Sequence, residues 1–364
     1  MQIPTVSFVI PCYKLAHLLP ECVNSILVQT YSDFEILIMN DCSPDNTAEV
    51  ARSFSDPRVR HIRNEPNLGH LRNYNKGIGM SRGKYVWLIS ADDYLRKPYI
   101  LERYVSVLES RPEVGYAFCS GVGVCDGREV GVLEYSVHGQ RDWVWEGHRL
   151  LKTLAYSNTV LAASGLVRRE CYDKLGAFPL DMPWAGDWYL WCLYALHYDV
   201  AYFAEPMVCY RDHGLSMTNK LFKENVATCV EEDVRVPWTI KRKADEAGFQ
   251  EVSKIFLDSV ASIYGKSIAT KRYGMANPSL TFDQFEDSLC RNATSERERQ
   301  WVRSRVYAEV GNEYYWQGDV ALAKKFYRSA LKQNPWMLAV HAKHLLLSLG
   351  RPGNYVRQAI MSSR

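Results

Sequence analysis

Two hydrophobic periods alternate along the first part of the chain. Val6–Ile10 is an apolar run that predicts a buried strand stopped by Pro11. Leu15, Leu18, Leu19, Cys22, Val23, Ile26 and Leu27 then recur at helical spacing, with Pro20 tolerable in a first turn. Phe34–Met39 predicts a second strand ending at Asn40-Asp41-Cys42-Ser43. A short helix over Thr47–Phe54, a third strand over Val59–Ile62 and a helix over Asn73–Met80 follow. The run Tyr85–Ile89 reads as a central strand that ends abruptly in Ser90-Ala91-Asp92-Asp93, with a helix from Lys97-Pro98 onward. Strand and helix in alternation predict a mostly parallel, doubly wound α/β sheet.

The pattern loosens after Phe118. Residues 121–147 are punctuated by glycine and read as loops with a hairpin, and Val160–Val167 as another strand. Asp187–Leu196 reads as a strongly apolar helix with a carboxylate in its first turn. Val200–Ala204 reads as a last short strand, followed by Tyr210-Arg211-Asp212-His213-Gly214. Beyond Leu215 only long helical segments are expected: Glu224–Glu246 interrupted at Pro237, Glu251–Arg272, Phe282–Arg291 and Glu296–Trp316. The expected organisation is an α/β domain over 1–215, a helical linker or acceptor-side region over 216–297, and a helical tail over 298–364. In that tail Gly311, Tyr314, Gly318, Ala323, Tyr327, Ala330 and Pro335 fall where a tetratricopeptide unit has its small, aromatic and proline positions. An ordinary helical hairpin gives the same pattern, and one repeat unit needs neighbours to bury its faces.

Composition narrows the function. The 364 residues carry a formal net charge of +3, so there is no basic surplus of the kind that marks nucleic-acid binding. Ten scattered cysteines without a CxxC pair point to buried, reduced thiols and a cytoplasmic protein. No apolar run is long enough to span a bilayer, and the first residues lack a basic-then-apolar signal pattern. Peripheral association with the inner membrane face remains compatible with this composition.

The chemistry is expected at strand ends. Ligands sit at the carboxyl ends of strands in open parallel sheets, and hard divalent cations take carboxylate and phosphate oxygens together. Asp92 and Asp93 therefore suggest a metal–diphosphate site, although two acidic residues after a strand can also cap the next helix. No GxxxxGK[ST] loop is present. Gly77-Ile78-Gly79-Met80-Ser81-Arg82-Gly83 is one residue too long for GxGxxG and precedes a strand where that fingerprint follows one.

Six stretches in order resemble glycosyltransferase family 2, an inverting family with the GT-A fold. They are VSFVIPCYK, SILVQTYSDFEILIMNDCSPDNT, NEPNLGHLRNYNKGI, KYVWLISADD, AGDWYLW and YRDHGLSMT, and they cover about the first 215 residues. The resemblance implies donor-binding roles for Pro11, Tyr13, Asp41, Ser90, Ala91 and Asp92. Tyr13 and Pro11 would pack on the base and Asp41 would accept its N–H. Asp92 would bind a Mn²⁺ or Mg²⁺ that bridges the diphosphate, with His213 as a further metal ligand. Asp93 would hold the metal shell or an acceptor hydroxyl, and Asp187 would be the catalytic base. Two departures stand out: Ser90 occupies the place of the first DxD aspartate, and Gly186 precedes Asp187 where the family usually has Glu. A base at a helix N-terminus is expected to favour its ionised form. Of the tryptophans Trp143, Trp145, Trp184, Trp188 and Trp191, the acceptor-side candidate is Trp184, just before the base, whereas Trp188 and Trp191 lie on an apolar helix.

The implied partners are a nucleotide-diphosphate sugar, first a UDP-sugar, and a glycan, polysaccharide or lipid-linked acceptor, with a protein partner or self-association through the tail. Two rivals are a non-catalytic nucleotide-binding scaffold acting through the helical tail, and a sugar nucleotidyltransferase. The latter resembles a different pattern, a glycine-rich loop after the first strand, where this chain has Pro11-Cys12-Tyr13-Lys14.

Overall fold

The computed structural model of the protein describes residues 3–214, 216–224, 226–269 and 280–349. Two compact units divide the chain between Lys220 and Leu221.

In the first unit ten strands form one sheet. They are β1 (Val6–Cys12), β2 (Phe34–Asn40), β3 (Val59–Arg63), β4 (Tyr85–Leu88), β5 (Tyr94–Leu95), β6 (Val114–Cys125), β7 (Arg128–Val132), β8 (Trp143–Trp145), β9 (Leu166–Arg168) and β10 (Asp199–Asp212). The order is β3-β2-β1-β4-β9-β6-β10-β5, with β7 on β6 and β8 on β10. β3, β2, β1 and β4 are mutually parallel. β9 runs against both β4 and β6, and β10 runs with β6. β1, β2, β4, β6 and β10 therefore all point their carboxyl ends to the same edge.

Between the strands lie α1 (Leu19–Leu27), α2 (Thr47–Ser53), α3 (His70–Met80), α4 (Ile100–Ser110), α5 (Gly147–Leu154), α6 (Arg169–Leu175) and α7 (Gly186–His197). Every residue of β1 and β2 is buried, as strands covered on both faces must be. Phe8, Trp87, Tyr104 and Phe203 stack in one line through the core, with ring centroids 5.4, 5.1 and 4.9 Å apart. At the amino edge, buried Glu35 clasps the sheet: it accepts from Ser7 Oγ at 2.7 Å, Arg82 N at 2.9 Å and Arg82 Nε at 3.0 Å.

Several expectations are corrected. Pro11 does not stop β1; its carbonyl accepts from Ala91 N at 3.2 Å. Its missing N–H falls on the β4 side, beyond the last paired residue Leu88, where a proline costs no ladder bond. Asp92 and Asp93 do not cap α4, because β5 intervenes and Tyr99 is the cap residue. Within 160–167 only Leu166 and Val167 are in a strand, β9, and Ala162–Ser164 is a 3₁₀ turn. The last strand is far longer than 200–204; it runs on through Tyr210-Arg211 after an irregularity between Phe203 and Val208. The expected hairpin is β6–β7, turned at Asp126 (φ 48°) and Gly127 (φ 74°), both in the left-handed region that a two-residue hairpin loop of this kind requires.

The second unit is helical. α8 (Met217–Glu224) leads into it, followed by α9 (Val226–Glu246), α10 (Gln250–Ala269), α11 (Phe282–Asn292), α12 (Glu296–Gln317), α13 (Val320–Gln333) and α14 (Leu338–Ser348). Residues 270–272 of one expected helix lie outside the described residues. Pro237 does not interrupt α9: it is buried between Val236 and Trp238, and Trp238 Nε1 donates to Tyr264 of α10 at 3.2 Å. Packing here outweighs the backbone bond a proline removes. α12 and α13 form an antiparallel hairpin through Gly318 (φ 88°), with Asp319 capping α13. A Cβ on Gly311 would lie 2.7 Å from the Tyr327 ring, so the two helices approach as closely as glycine allows.

Candidate active site

Strand register assembles the site. Parallel pairing sets Pro11 beside Met39 and Cys12 beside Asn40, so the turns after β1 and β2 meet. Asp41 N donates to Cys12 O at 3.0 Å and Lys14 N to Ser43 Oγ at 2.7 Å. Lys14 (φ 60°) and Cys42 (φ 57°) adopt left-handed conformations that non-glycine residues seldom hold. Such strain gathers where a backbone must present itself to something. β5 pairs antiparallel with β10, Tyr94 facing Cys209 and Leu95 facing Val208. Continued outward, that register sets Asp93 and Asp92 against Tyr210–His213.

Asp92 and His213 meet there, 121 residues apart in sequence, with Asp92 Oδ2 and His213 Nε2 separated by 2.9 Å. Asp92 Oδ1 is buried and has no hydrogen-bond partner among the described residues. A buried carboxylate oxygen without a donor is costly unless something else takes its lone pairs. Asp93 turns the other way. It is buried, and its Oδ1 accepts from Arg211 N at 2.9 Å. Burial first, and then the neighbouring Asp92 charge, push its carboxyl well above the usual carboxylate range. Arg211 locks this corner: Nε donates to Asp92 O at 3.0 Å and Nη2 to Glu21 of α1 at 2.6 Å. Ser90 carries the turn through its carbonyl, which accepts from Asp93 N at 3.0 Å, and Ala91 extends the β1 ladder.

Asp41 is buried and well bonded. Its Oδ1 accepts from Asn64 Nδ2 at 2.9 Å and Leu68 N at 2.8 Å, and its Oδ2 from Gly69 N at 3.0 Å. Asn64 in turn donates to Asn73 Oδ1 at 2.8 Å and accepts from Lys76 Nζ at 2.7 Å. Asp41 thus fixes the 64–69 loop ahead of α3. Tyr13 is 44% exposed and open to a ligand, with Lys14 Nζ 5.3 Å from its ring centre.

Asp187 occupies the second position of α7, not its cap, which is Ala185. Its Oδ1 accepts from Trp188 N at 2.7 Å and its Oδ2 from Asn158 Nδ2 at 2.9 Å. Burial outweighs these bonds and pushes the carboxyl up to about 6. The group still ionises near neutral pH. Tyr74 of α3 packs edge-on against His70 and Phe178. Its hydroxyl is raised by burial and then by the charges of Asp92, Asp187 and Asp93.

The tryptophans divide. Trp143 stacks on Trp145 at 3.6 Å, and Arg149 covers the other face of Trp145 at 3.8 Å, which leaves no bare face there for a sugar. Trp188 and Trp191 are core. Trp184 is half-buried after Pro183, whose carbonyl lies 3.1 Å from His70 Nε2. Reading the sequence missed Asn158, Tyr74 and the role of Arg211. Arg211 stands in the quoted YRDHGLSMT stretch and Tyr74 in NEPNLGHLRNYNKGI, whereas nothing local marks Asn158.

Among the described residues no three of His, Cys, Asp or Glu converge as a ready-made metal cage. Mg²⁺ and Mn²⁺ do not need one, since one or two protein ligands plus phosphate oxygens suffice. Adjacent ligands on an octahedral ion with bonds of roughly 2.1 Å lie roughly 3 Å apart. The Asp92–His213 spacing and the partnerless Oδ1 fit such an ion.

The sequence model of glycosyl transferase family 2 matches residues 7–159. An uncharacterized glycosyltransferase of Haemophilus influenzae is 30% identical over 219 residues, 58% of this chain and 66% of its own length. The glycosyltransferase GlyG of Streptococcus pneumoniae is 35% identical over 186 residues, 47% of this chain and 58% of its own length. A chondroitin synthase of Pasteurella multocida is 42% identical over 96 residues, 26% of this chain and 10% of its own length. The chain thus spans less than two thirds of each of these relatives. The crystal structure of residues 1–349 of S. aureus TarS in complex with UDP-GlcNAc is similar in fold, with a TM-score of 0.59 at 15% identity over 90% of both chains. Together with the ordered motifs and the sheet described above, the model match identifies residues 7–159 as a glycosyl transferase family 2 domain.

Proposed function

We propose that this protein is a metal-dependent inverting glycosyltransferase that moves a sugar from a nucleotide-diphosphate donor, a UDP-sugar, to a hydroxyl of a glycan, polysaccharide or lipid-linked acceptor. The observation that carries the reading is Asp92. One of its oxygens faces His213 at 2.9 Å and the other is buried without a partner, at the carboxyl edge of a parallel sheet.

In this reading the donor base stacks on Tyr13 beside Pro11. Asp41 Oδ2 accepts from Gly69 N and, with its second lone pair, keeps capacity for the base N–H. Asp92 and His213 would hold a divalent ion, Mn²⁺ or Mg²⁺, with Ser90 and Ala91 shaping the turn that carries Asp92. When bound, the ion offsets charge that develops on the departing diphosphate. Asp93 then acts as the anchor of that turn on β10. Asp187 removes the proton from the acceptor hydroxyl as it attacks the anomeric carbon. One separate carboxylate is enough for a single displacement with inversion, because the diphosphate leaves without a protonating acid. Trp184 lies on the acceptor side of the base. A UDP donor is the first to test, since TarS, which shares the fold, is known in complex with UDP-GlcNAc.

Calorimetry with UDP provides the test. UDP is expected to bind the wild type only with Mn²⁺ or Mg²⁺ present, and Asp92→Ala to weaken binding at least tenfold. Equal UDP affinity with and without metal in both proteins would remove the metal site from the account.

A further inference from the structure

We propose that Asn158 is the positioning residue of the general base: its side-chain amide holds the Asp187 carboxylate in one orientation and in its ionised form. The inference rests on the reading of Asp187 as the base.

Asn158 sits in the irregular segment between α5 and the 3₁₀ turn at Ala162–Ser164, with no element of its own to fix it. Its own side chain does so. Oδ1 accepts from Val160 N at 3.2 Å, so the amide has one sensible orientation and Nδ2 must face Asp187 Oδ2, 2.9 Å away. The other carboxylate oxygen is held by Trp188 N at 2.7 Å. A turn alone does not require asparagine, since aspartate or serine closes the same turn with its acceptor oxygen. Of the three, only the amide closes the turn with one atom and donates to the base with another.

The choice of donor has chemical consequences. A lysine or arginine there would stabilise the carboxylate so far that it became a poor base. A neutral amide orients it and favours ionisation by a smaller amount. The titratable groups that feel the Asp187 charge are Tyr74 of α3, Tyr135 in the 3₁₀ turn at Glu134–Ser136 and Cys192 of α7. All three are raised by burial and stay neutral around pH 6. What opposes burial at Asp187 is hydrogen bonding alone: Trp188 N–H, then the Asn158 amide, then its own N–H. Of these only Asn158 is a side chain.

The protein is labelled with ¹³C at aspartate Cγ and titrated, and the Asp187 resonance is identified by its loss in Asp187→Asn. The wild-type midpoint is expected near 6. Asn158→Ala should raise it by about one pH unit, a tenfold tighter proton. Asn158→Asp keeps the turn and the volume but sets a second carboxylate against the first, and should raise the midpoint at least as far. The acid limb of donor turnover should move by the same amount in each variant, with the donor KM unchanged. A midpoint that stays put or falls in both folded variants would overturn the assignment. Full turnover in Asp187→Asn would remove the base reading and this proposal with it, an outcome separable from an unmoved midpoint.

Discussion

At the residue scale the account turns on how burial and hydrogen bonding divide the carboxylates. Asp92 keeps an unbonded oxygen, Asp93 is turned into the protein by Arg211, and Asp187 is held at two points. The Asp187 carboxyl lies near 6, above the ordinary aspartate value of 3.8. Between those values the folded state binds more protons than the unfolded one, so this group makes stability fall as pH rises from about 4 to 6. Carrying a charged Asp187 at neutral pH costs on the order of 2–3 kcal/mol. Asp187→Asn removes that cost. Its stability relative to wild type, followed by urea unfolding, should rise between pH 4 and pH 7, while turnover falls by about 10²–10⁴-fold. A difference independent of pH would mean that Asp187 is not perturbed in the folded protein.

At the scale of elements, much was legible from the sequence. β1 to β4 and their helices follow from long apolar runs bounded by turn residues, because strands buried on both faces leave an unbroken hydrophobic signature. The far side of the sheet was less legible. β9 has only three residues, and β10 continues through Glu205-Pro206, which reads as a strand end. Both are specified by neighbours across the sheet. The same holds for the site. Asp92 and His213 were readable from motifs, whereas Asn158 meets Asp187 only through the packing of a loop on α7. Cross-strand bonds of this kind can be tested at Glu35. Burial alone would raise its carboxyl, but the bonds from Arg82 and Ser7 outweigh that and hold it below the usual glutamate range. Glu35→Ala should cost roughly 2–3 kcal/mol in urea unfolding near pH 7. Because the folded value is the lower one, that deficit should be fully present above pH 5 and shrink as pH falls through the carboxylate range.

At the scale of the whole molecule, a glycosyl transferase family 2 domain is followed by a helical unit, and no described helix is long and apolar enough to cross a membrane. A donor and metal that bind only the folded first unit must stabilise it by mass action, by about 2.7 kcal/mol at a hundredfold excess over Kd. UDP with Mn²⁺ should therefore raise its melting temperature by several degrees, and EDTA should abolish the rise. A rise from UDP that survives EDTA would separate nucleotide binding from the metal.

The most direct measurement is donor turnover. The protein is incubated with UDP-, GDP- and dTDP-sugars plus Mn²⁺ or Mg²⁺, and free nucleotide is followed for wild type, Asp92→Ala and Asp187→Asn. The account predicts slow, metal-dependent nucleotide release from a UDP-sugar, lost in Asp92→Ala and strongly reduced in Asp187→Asn. Release from no donor, together with no calorimetric binding of any of the nucleotides, would contradict it and shift the function to the helical unit.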